Sequence, residues 1–212
     1  RDRLIPLMAW GIGPGDAVFT TPFTYVATAE VIAILGATPI FVDVYESTYN
    51  IDCEKLEVEI NKVIKHGKLK PKAIIPVDLF GLPARYRVID DIAKKYNLKI
   101  IEDAAQSFGG SIRDKKVGVF GDVAATSFYP AKPLGCYGDG GAIFTNDDSL
   151  AEECKAIRIH GTKADRYNSE SIGLNGRFDS IQAADLLEKL TIIDDELEKR
   201  NIIEKVKNLY LK

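Results

Sequence analysis

One lysine, Lys132, stands in the stretch SFYPAKPLGCYGDGG (Ser127–Gly141), among prolines, aromatics and a closing glycine cluster. A lysine that acts as an amine nucleophile must lose its proton at low cost. A partly desolvated loop near other positive charge provides that, and an exposed helix does not. Upstream, the apolar LKII is followed directly by Glu102 and Asp103. A carboxylate set under a heteroaromatic nitrogen keeps that nitrogen protonated and turns the ring into an electron sink. Ser127 brings a hydroxyl suited to a phosphate, and an aromatic of TPFTYVAT (residues 21–28) can cover the free face of a planar ring.

Taken singly, each residue has an ordinary explanation. A loop lysine is usually solvated, and a carboxylate after a strand often only caps the next helix. The ordered set of lysine, carboxylate, serine and aromatic is more specific. It matches what pyridoxal 5′-phosphate (PLP) requires: an amine for its aldehyde, an acid for its ring nitrogen, a hydroxyl for its phosphate and a lid.

Such a set needs a scaffold that brings distant loops together. Strands are expected at Ala17–Thr20, Thr38–Val44, Lys72–Asp78, Leu98–Ile101, Val123–Phe128 and Gly141–Thr145. Helix-period segments at Thr24–Leu35, Cys53–Ile64, Arg87–Tyr96 and Ser149–Ile159 alternate with them. This alternation implies an α/β fold, a mainly parallel sheet flanked by helices on both faces. In such open sheets ligands collect at the carboxyl ends of the strands, where Asp103 falls. From Asp179 onward the pattern becomes one long helical signal, with apolar residues through Ile181, Leu187, Leu190, Leu197, Ile202 and Val206.

The composition narrows the function classes. With 212 residues, 46% of them hydrophobic and 28% charged, the chain fits one large water-soluble domain or one with a helical extension. A net charge of -3 and the lack of a basic run exclude nucleic acid as the main partner. No apolar stretch reaches the length of a membrane span. Cys53, Cys136 and Cys154 form no CxxC pair, and with two histidines in total they fit a reducing, cytoplasmic setting without a zinc site.

The segments GIGPGDAVFTTPFTYVATAEVI, GATPIFVDV, KAIIPVDLFG, IIEDAAQSFGG, TSFYPAKPLGCYGDGGAIFTNDD and GLNGRFDSIQAADLLEKL resemble, in order, the DegT/DnrJ/EryC1/StrS family of PLP-dependent sugar aminotransferases. The resemblance implies the fold-type I, aspartate aminotransferase-like architecture. It implies a PLP-binding large domain over 1–178 and, over 179–212, a long helix leading to a smaller C-terminal domain outside this chain. Lys132 matches the lysine that carries the cofactor, Asp103 the partner of the ring nitrogen, and Gln106 a glutamine near the ring hydroxyl. Ser127 matches a phosphate ligand and Tyr25 the stacked aromatic. Asn175 matches an asparagine that reaches the phosphate in a neighbouring subunit, which implies a homodimer with shared sites.

The implied reaction is transfer of an amino group from glutamate to a nucleotide-linked keto sugar. The GLNGRFD form is most like the branch acting on UDP-linked 3-keto sugars such as UDP-2-acetamido-2-deoxy-3-oxo-glucuronate, for bacterial surface polysaccharide. Arg177 and His160 are candidate contacts to the sugar or diphosphate. The alternatives are a PLP-dependent lyase or desulfurase, for which Cys136 is the candidate cysteine, and a truncated, non-catalytic PLP-binding module. The family's glycine-threonine phosphate loop is not matched at the Asp2–Arg3 end, so weak PLP binding and poor turnover are expected of this stretch alone.

Overall fold

Short runs of β-branched and small residues, buried along nearly their whole length, set the architecture. β1 (Asp16–Thr20), β3 (Lys70–Ile75), β4 (Lys99–Asp103) and β7 (Val123–Ser127) each carry three or more consecutive buried residues. Such runs mark strands covered on both faces. The computed structural model, which describes residues 2–163 and 167–210, joins them with β2 (Thr38–Phe41) and β8 (Gly141–Phe144) in one six-stranded sheet. The strand order is β2-β1-β3-β4-β7-β8, with β8 antiparallel to β7 and every other pairing parallel. A small hairpin of β5 (Ser111–Ile112) and β6 (Lys115–Lys116) stands apart.

Alternate residues of each strand feed opposite cores. Phe19, Ile74 and Ile100 pack under α3 (Cys53–His66) and α4 (Tyr86–Tyr96), against Leu56, Ile60, Ile89 and Ile92. Val18, Ile75 and Ile101 face the other way, onto α1 (Leu4–Ala9), α2 (Ala27–Ile34) and α5 (Asp148–Arg158) through Leu7, Ile32 and Ile157. A third cluster of Phe128, Leu134, Cys136, Leu186 and Ile193 joins the Ser127–Gly141 loop to the C-terminal helices.

The four expected helices and six expected strands are present, with shifts that have local causes. The helix expected from Thr24 begins at Ala27, because a turn in which Thr28 N–H donates to Tyr25 C=O at 3.0 Å takes up the residues before it. β3 stops at Ile75, since Pro76 has no N–H to pair. β4 runs on to Asp103, so the carboxylate projects from the strand end itself and not from a following loop.

The long helical signal is two helices, α6 (Ser180–Leu190) and α7 (Ile193–Tyr210), with a break at Thr191 and Ile192. There the Thr191 hydroxyl donates to Glu188 C=O at 2.6 Å, and the turn drops Ile193 into the third core cluster. The side chain of Val206 lies outside the described residues. No helix among the described residues is long and apolar enough to cross a membrane.

Candidate active site

The strand order reverses between β1 and β3, because the chain leaves β1 toward β2 on one side and returns to β3 on the other. Ligand crevices in open α/β sheets form at such a reversal, beyond the carboxyl ends of the strands. Here the segments after β1, β3, β4 and β7 converge on one cleft of about 680 Å³. Asp103, Gln106, Ser127, Tyr25, Lys132 and Arg177 all line it.

Neighbours in β4 show how the sheet sorts its carboxylates. Glu102, fully buried, turns to the far face and accepts N–H groups from Gly118 at 2.7 Å and Phe120 at 2.9 Å. Burial pushes its pKa up. Asp103, one residue on, points into the cleft and is only 2% exposed. Its Oδ2 accepts the Thr28 hydroxyl at 3.0 Å, and its Oδ1 accepts Arg3 Nη1 at 2.5 Å and, more distantly, Ala105 N–H at 3.3 Å.

Behind Asp103 lies a third buried carboxylate, Asp78. It accepts from Ala84 N–H at 3.0 Å, the Tyr86 hydroxyl at 2.7 Å and the Ser107 hydroxyl at 2.8 Å. Burial, with the nearby Glu102 adding to it, pushes Asp78 up to about 7. Its own N–H donates to Asp103 C=O at 3.1 Å, so Asp78 ties the loop after β3 to the turn that carries Ala105 and Gln106.

Lys132 reaches the cleft by a different route. Its loop folds back on itself: Lys132 N–H donates to Tyr129 C=O and Cys136 N–H to Phe128 C=O, both at 2.8 Å. The C-terminal helices pin the outer arm. Gln182 Oε1 accepts Tyr137 N–H at 2.8 Å, Lys189 Nζ donates to Gly135 C=O at 2.8 Å, and Arg200 Nη1 reaches Pro133 C=O at 3.4 Å. Gly135 lies so close to Pro130 that an added Cβ would sit 2.5 Å from its carbonyl oxygen. The loop therefore closes only around a glycine there. Lys132 ends half-buried, at the meeting of the main cleft and a second depression of about 450 Å³ walled by Phe80, Pro133 and Arg200.

The other expected residues divide. Ser127 accepts Tyr129 N–H on its hydroxyl oxygen at 3.3 Å, which keeps its own hydrogen available to donate. Gln106 Oε1 accepts Phe80 N–H at 2.8 Å, which fixes the side chain at the cleft wall. Of the two aromatics in TPFTYVAT, Tyr25 lines the cleft, 70% exposed, while Phe23 packs on Tyr49 and Phe80. Arg177 stands at the exposed rim.

His160 and Asn175 are exposed and not brought into the cleft of this chain. Both sit in the backbone pairing after α5, where His160 N–H donates to Leu174 C=O and Asn175 bridges Ile159. Cys136 is 1% exposed, with its thiol directed at the carbonyls of Phe128 and Gly138.

Three cleft residues escaped the sequence reading: Thr28, Asp2 and Arg3. Thr24 and Thr28 stand four apart at a helix start, and that spacing could have flagged Thr28, whose hydroxyl contacts that of Thr24 at 3.2 Å. No local pattern flags Arg3, which meets its partner across 100 positions of sequence.

The sequence profile of the DegT/DnrJ/EryC1/StrS aminotransferase family matches residues 3–211. The chain is 50% identical, over 97% of its length, to a UDP-2-acetamido-2-deoxy-3-oxo-D-glucuronate aminotransferase of Pseudomonas aeruginosa, and spans 55% of that protein. It superposes with a TM-score of 0.98 on a DegT DnrJ EryC1 StrS aminotransferase from Brucella abortus, at 56% identity over 99% of this chain and 56% of that one. A Bacillus subtilis structure with bound cofactor PMP is similar at a TM-score of 0.80 and 33% identity, over 91% of this chain and 42% of the other. The chain thus spans about half the length of the relatives it matches.

Proposed function

Because the chain belongs to the DegT/DnrJ/EryC1/StrS aminotransferase family, we propose that its cleft binds pyridoxal 5′-phosphate and serves amino transfer from glutamate to a nucleotide-linked keto sugar. The observation that carries this reading is the meeting of Asp103, Ser127, Tyr25 and Lys132 in one cleft, from four separate segments. The residues present fit the cofactor. Asp103 already pairs with a planar cation, the Arg3 guanidinium, and Thr28 orients the carboxylate. The cleft volume is within the usual range for such ligands.

When bound, the cofactor supplies the electron sink that lets a C–H bond next to the amino nitrogen break. The protein's part is positional and protonic. Asp103 would keep a ring nitrogen protonated, Ser127 would donate its hydroxyl to the phosphate, Gln106 would stand near the ring hydroxyl, and Tyr25 would stack on the ring. Lys132 Nζ would hold the cofactor covalently, and the same amine would serve as the proton acceptor and donor of the amino transfer.

The similarity to the Pseudomonas enzyme supports a UDP-linked 3-keto sugar as acceptor, in amino-sugar synthesis for bacterial surface polysaccharide. Arg177, exposed at the rim, is assigned to the sugar or diphosphate of the acceptor. Asn175, exposed and not among the residues lining its own cleft, is assigned to the phosphate site of a second copy, and the proposed assembly is a homodimer. Three free, buried cysteines are in keeping with a cytoplasmic enzyme. The burial of the Cys136 thiol counts against the lyase or desulfurase alternative.

The test is a visible absorbance band on addition of PLP, with borohydride fixing the cofactor mass on Lys132. Lys132→Ala should lose both, and its amino-transfer rate should fall by about 1,000-fold or more. If Lys132→Ala keeps the band and the fixed adduct, the assignment is wrong. Activity with glutamate and matched UDP- and dTDP-linked keto sugars then settles the acceptor.

A further inference from the structure

Arg3 lines the cleft but has no part in the amino transfer proposed above. It precedes α1 and sends its guanidinium across to Asp103, where Nη1 donates to Oδ1. The pair is well shielded, with Arg3 16% and Asp103 2% exposed. Asp103 Oδ2 remains with Thr28, so Arg3 occupies the cationic side of the carboxylate that a protonated ring nitrogen would need. Of the five guanidinium N–H groups, the hydrogen bonds described for Arg3 engage one. Asp2, whose carboxyl burial pushes up, also lines the cleft and lies against Gly141, where an added Cβ would collide with its oxygens.

We propose that Arg3 is an internal counter-ion that competes with the cofactor's ring cation for Asp103, and so sets the affinity of this cleft for PLP. The inference rests on the cofactor reading above. A buried carboxylate left alone is costly, so Asp103 exchanges one cation for another and is never stripped of both. The exchange makes cofactor entry pay for release of the ion pair. Arg3 lines the cleft and precedes α1, and the one side-chain hydrogen bond described for it is the bond to Asp103, so rotation of its side chain alone would free the carboxylate.

Arg3→Ala removes the competitor and leaves Asp103 unpaired in the cofactor-free protein. PLP should then bind about tenfold more tightly in an absorbance titration, within the usual span of such couplings. The melting temperature without PLP should fall, and the rise on adding PLP should exceed that of the unaltered protein. Arg3→Lys, which keeps the charge, should return the affinity to within about twofold of the starting value. Arg3→Gln, which keeps a donor and drops the charge, covers the case in which the alanine variant does not fold, and should shift in the same direction. A 1-deaza analogue of PLP, with no ring nitrogen to protonate, should gain little from either neutral variant.

If the unaltered protein binds PLP and both neutral variants bind it equally or less tightly, Arg3 is no competitor and the inference fails. A gain shared equally by PLP and its deaza analogue would overturn it too, since relief would then be steric. If neither the unaltered protein nor any variant takes up PLP, the cofactor reading itself fails, and this inference falls with it.

Discussion

Two polar groups that line the cleft, Asp103 and Lys132, are held by opposite strategies. Asp103 sits at the end of a central strand. The sheet fixes its backbone, through Asp103 N–H to Pro76 C=O at 3.0 Å and Asp78 N–H to Asp103 C=O at 3.1 Å, and its carboxylate is nearly sealed from water. Lys132 sits in a loop with little regular pairing of its own, and its position is set by a glycine, by internal turns and by three ties from α6 and α7. In the proposed function the carboxylate would need rigidity and low polarity to stay matched to a ring proton, whereas the lysine would have to be placed and then released. A carboxylate that never moves belongs on a strand, and an amine that changes partners belongs on a loop.

The sharpest way to break this division is at the rigid side. Asp78→Ala leaves the Tyr86 and Ser107 hydroxyls and the Ala84 N–H without their acceptor, in a fully buried place. A loss of about 3 kcal/mol in urea unfolding is expected, from several unsatisfied donors at ~1 kcal/mol or more each. The same residue carries a pH signature. Its folded pKa of about 7 lies above the ordinary 3.8, so between these values the native protein holds a proton that the unfolded chain has lost. Its contribution to stability is therefore complete below 3.8 and declines as pH rises toward about 7. Asp78→Asn, which cannot ionise, should flatten the fall in stability across that window. Glu102, raised by burial in the same direction, should leave a residual slope of the same sign.

The next largest effect is at the mobile side. Gly135→Ala forces a Cβ to within 2.5 Å of Pro130 C=O and 2.9 Å of Tyr129 C=O, both backbone atoms that cannot rotate away. The loop must shift, and Lys132 shifts with it. Turnover should fall by about 100-fold, the cost of a misplacement near 1 Å. The melting temperature should move much less than in Asp78→Ala. If Gly135→Ala destabilises the fold as much as Asp78→Ala while sparing turnover, the two regions are not divided as described.

How much of this was readable beforehand follows the same line. Strands and helices were legible because each is specified locally, by runs of Val, Ile and Ala or by apolar residues three and four apart. Asp103 and Lys132 were legible as types placed after expected strands and Ser127 as one near the end of a strand, and the α/β reading sent them to one edge of the sheet. The break between α6 and α7 was not, because the apolar spacing runs on past Thr191 and Ile192 and neither residue is a helix breaker by type. Arg3 on Asp103 was illegible because it depends on tertiary packing, that of α1 beside α2 and α5 on one face of the sheet, which sets Arg3 in the cleft. His160 shows the converse. A polar residue in a suggestive stretch folds outward, with a left-handed backbone at φ 65°, because its segment pairs with Leu174 and Asn175 behind the cleft rim.

The smallest effect tests whether the helices hold the lysine loop jointly or through one tie. Gln182→Ala removes the acceptor of Tyr137 N–H but leaves Lys189 on Gly135 C=O and Arg200 on Pro133 C=O. Lys189 also lies over the Tyr137 ring at 4.1 Å, so the ring keeps a neighbour after its backbone loses one. One such hydrogen bond is worth about 1 kcal/mol net, so hydrogen exchange at Tyr137 should quicken by about five- to tenfold. Exchange at Lys132, whose N–H closes a turn on Tyr129 inside the loop, should change by less than about twofold. Equal acceleration at both amides would mean that the loop opens as one unit on a single latch. In that case the release of Lys132 would be governed from α6, and the three ties would not act independently.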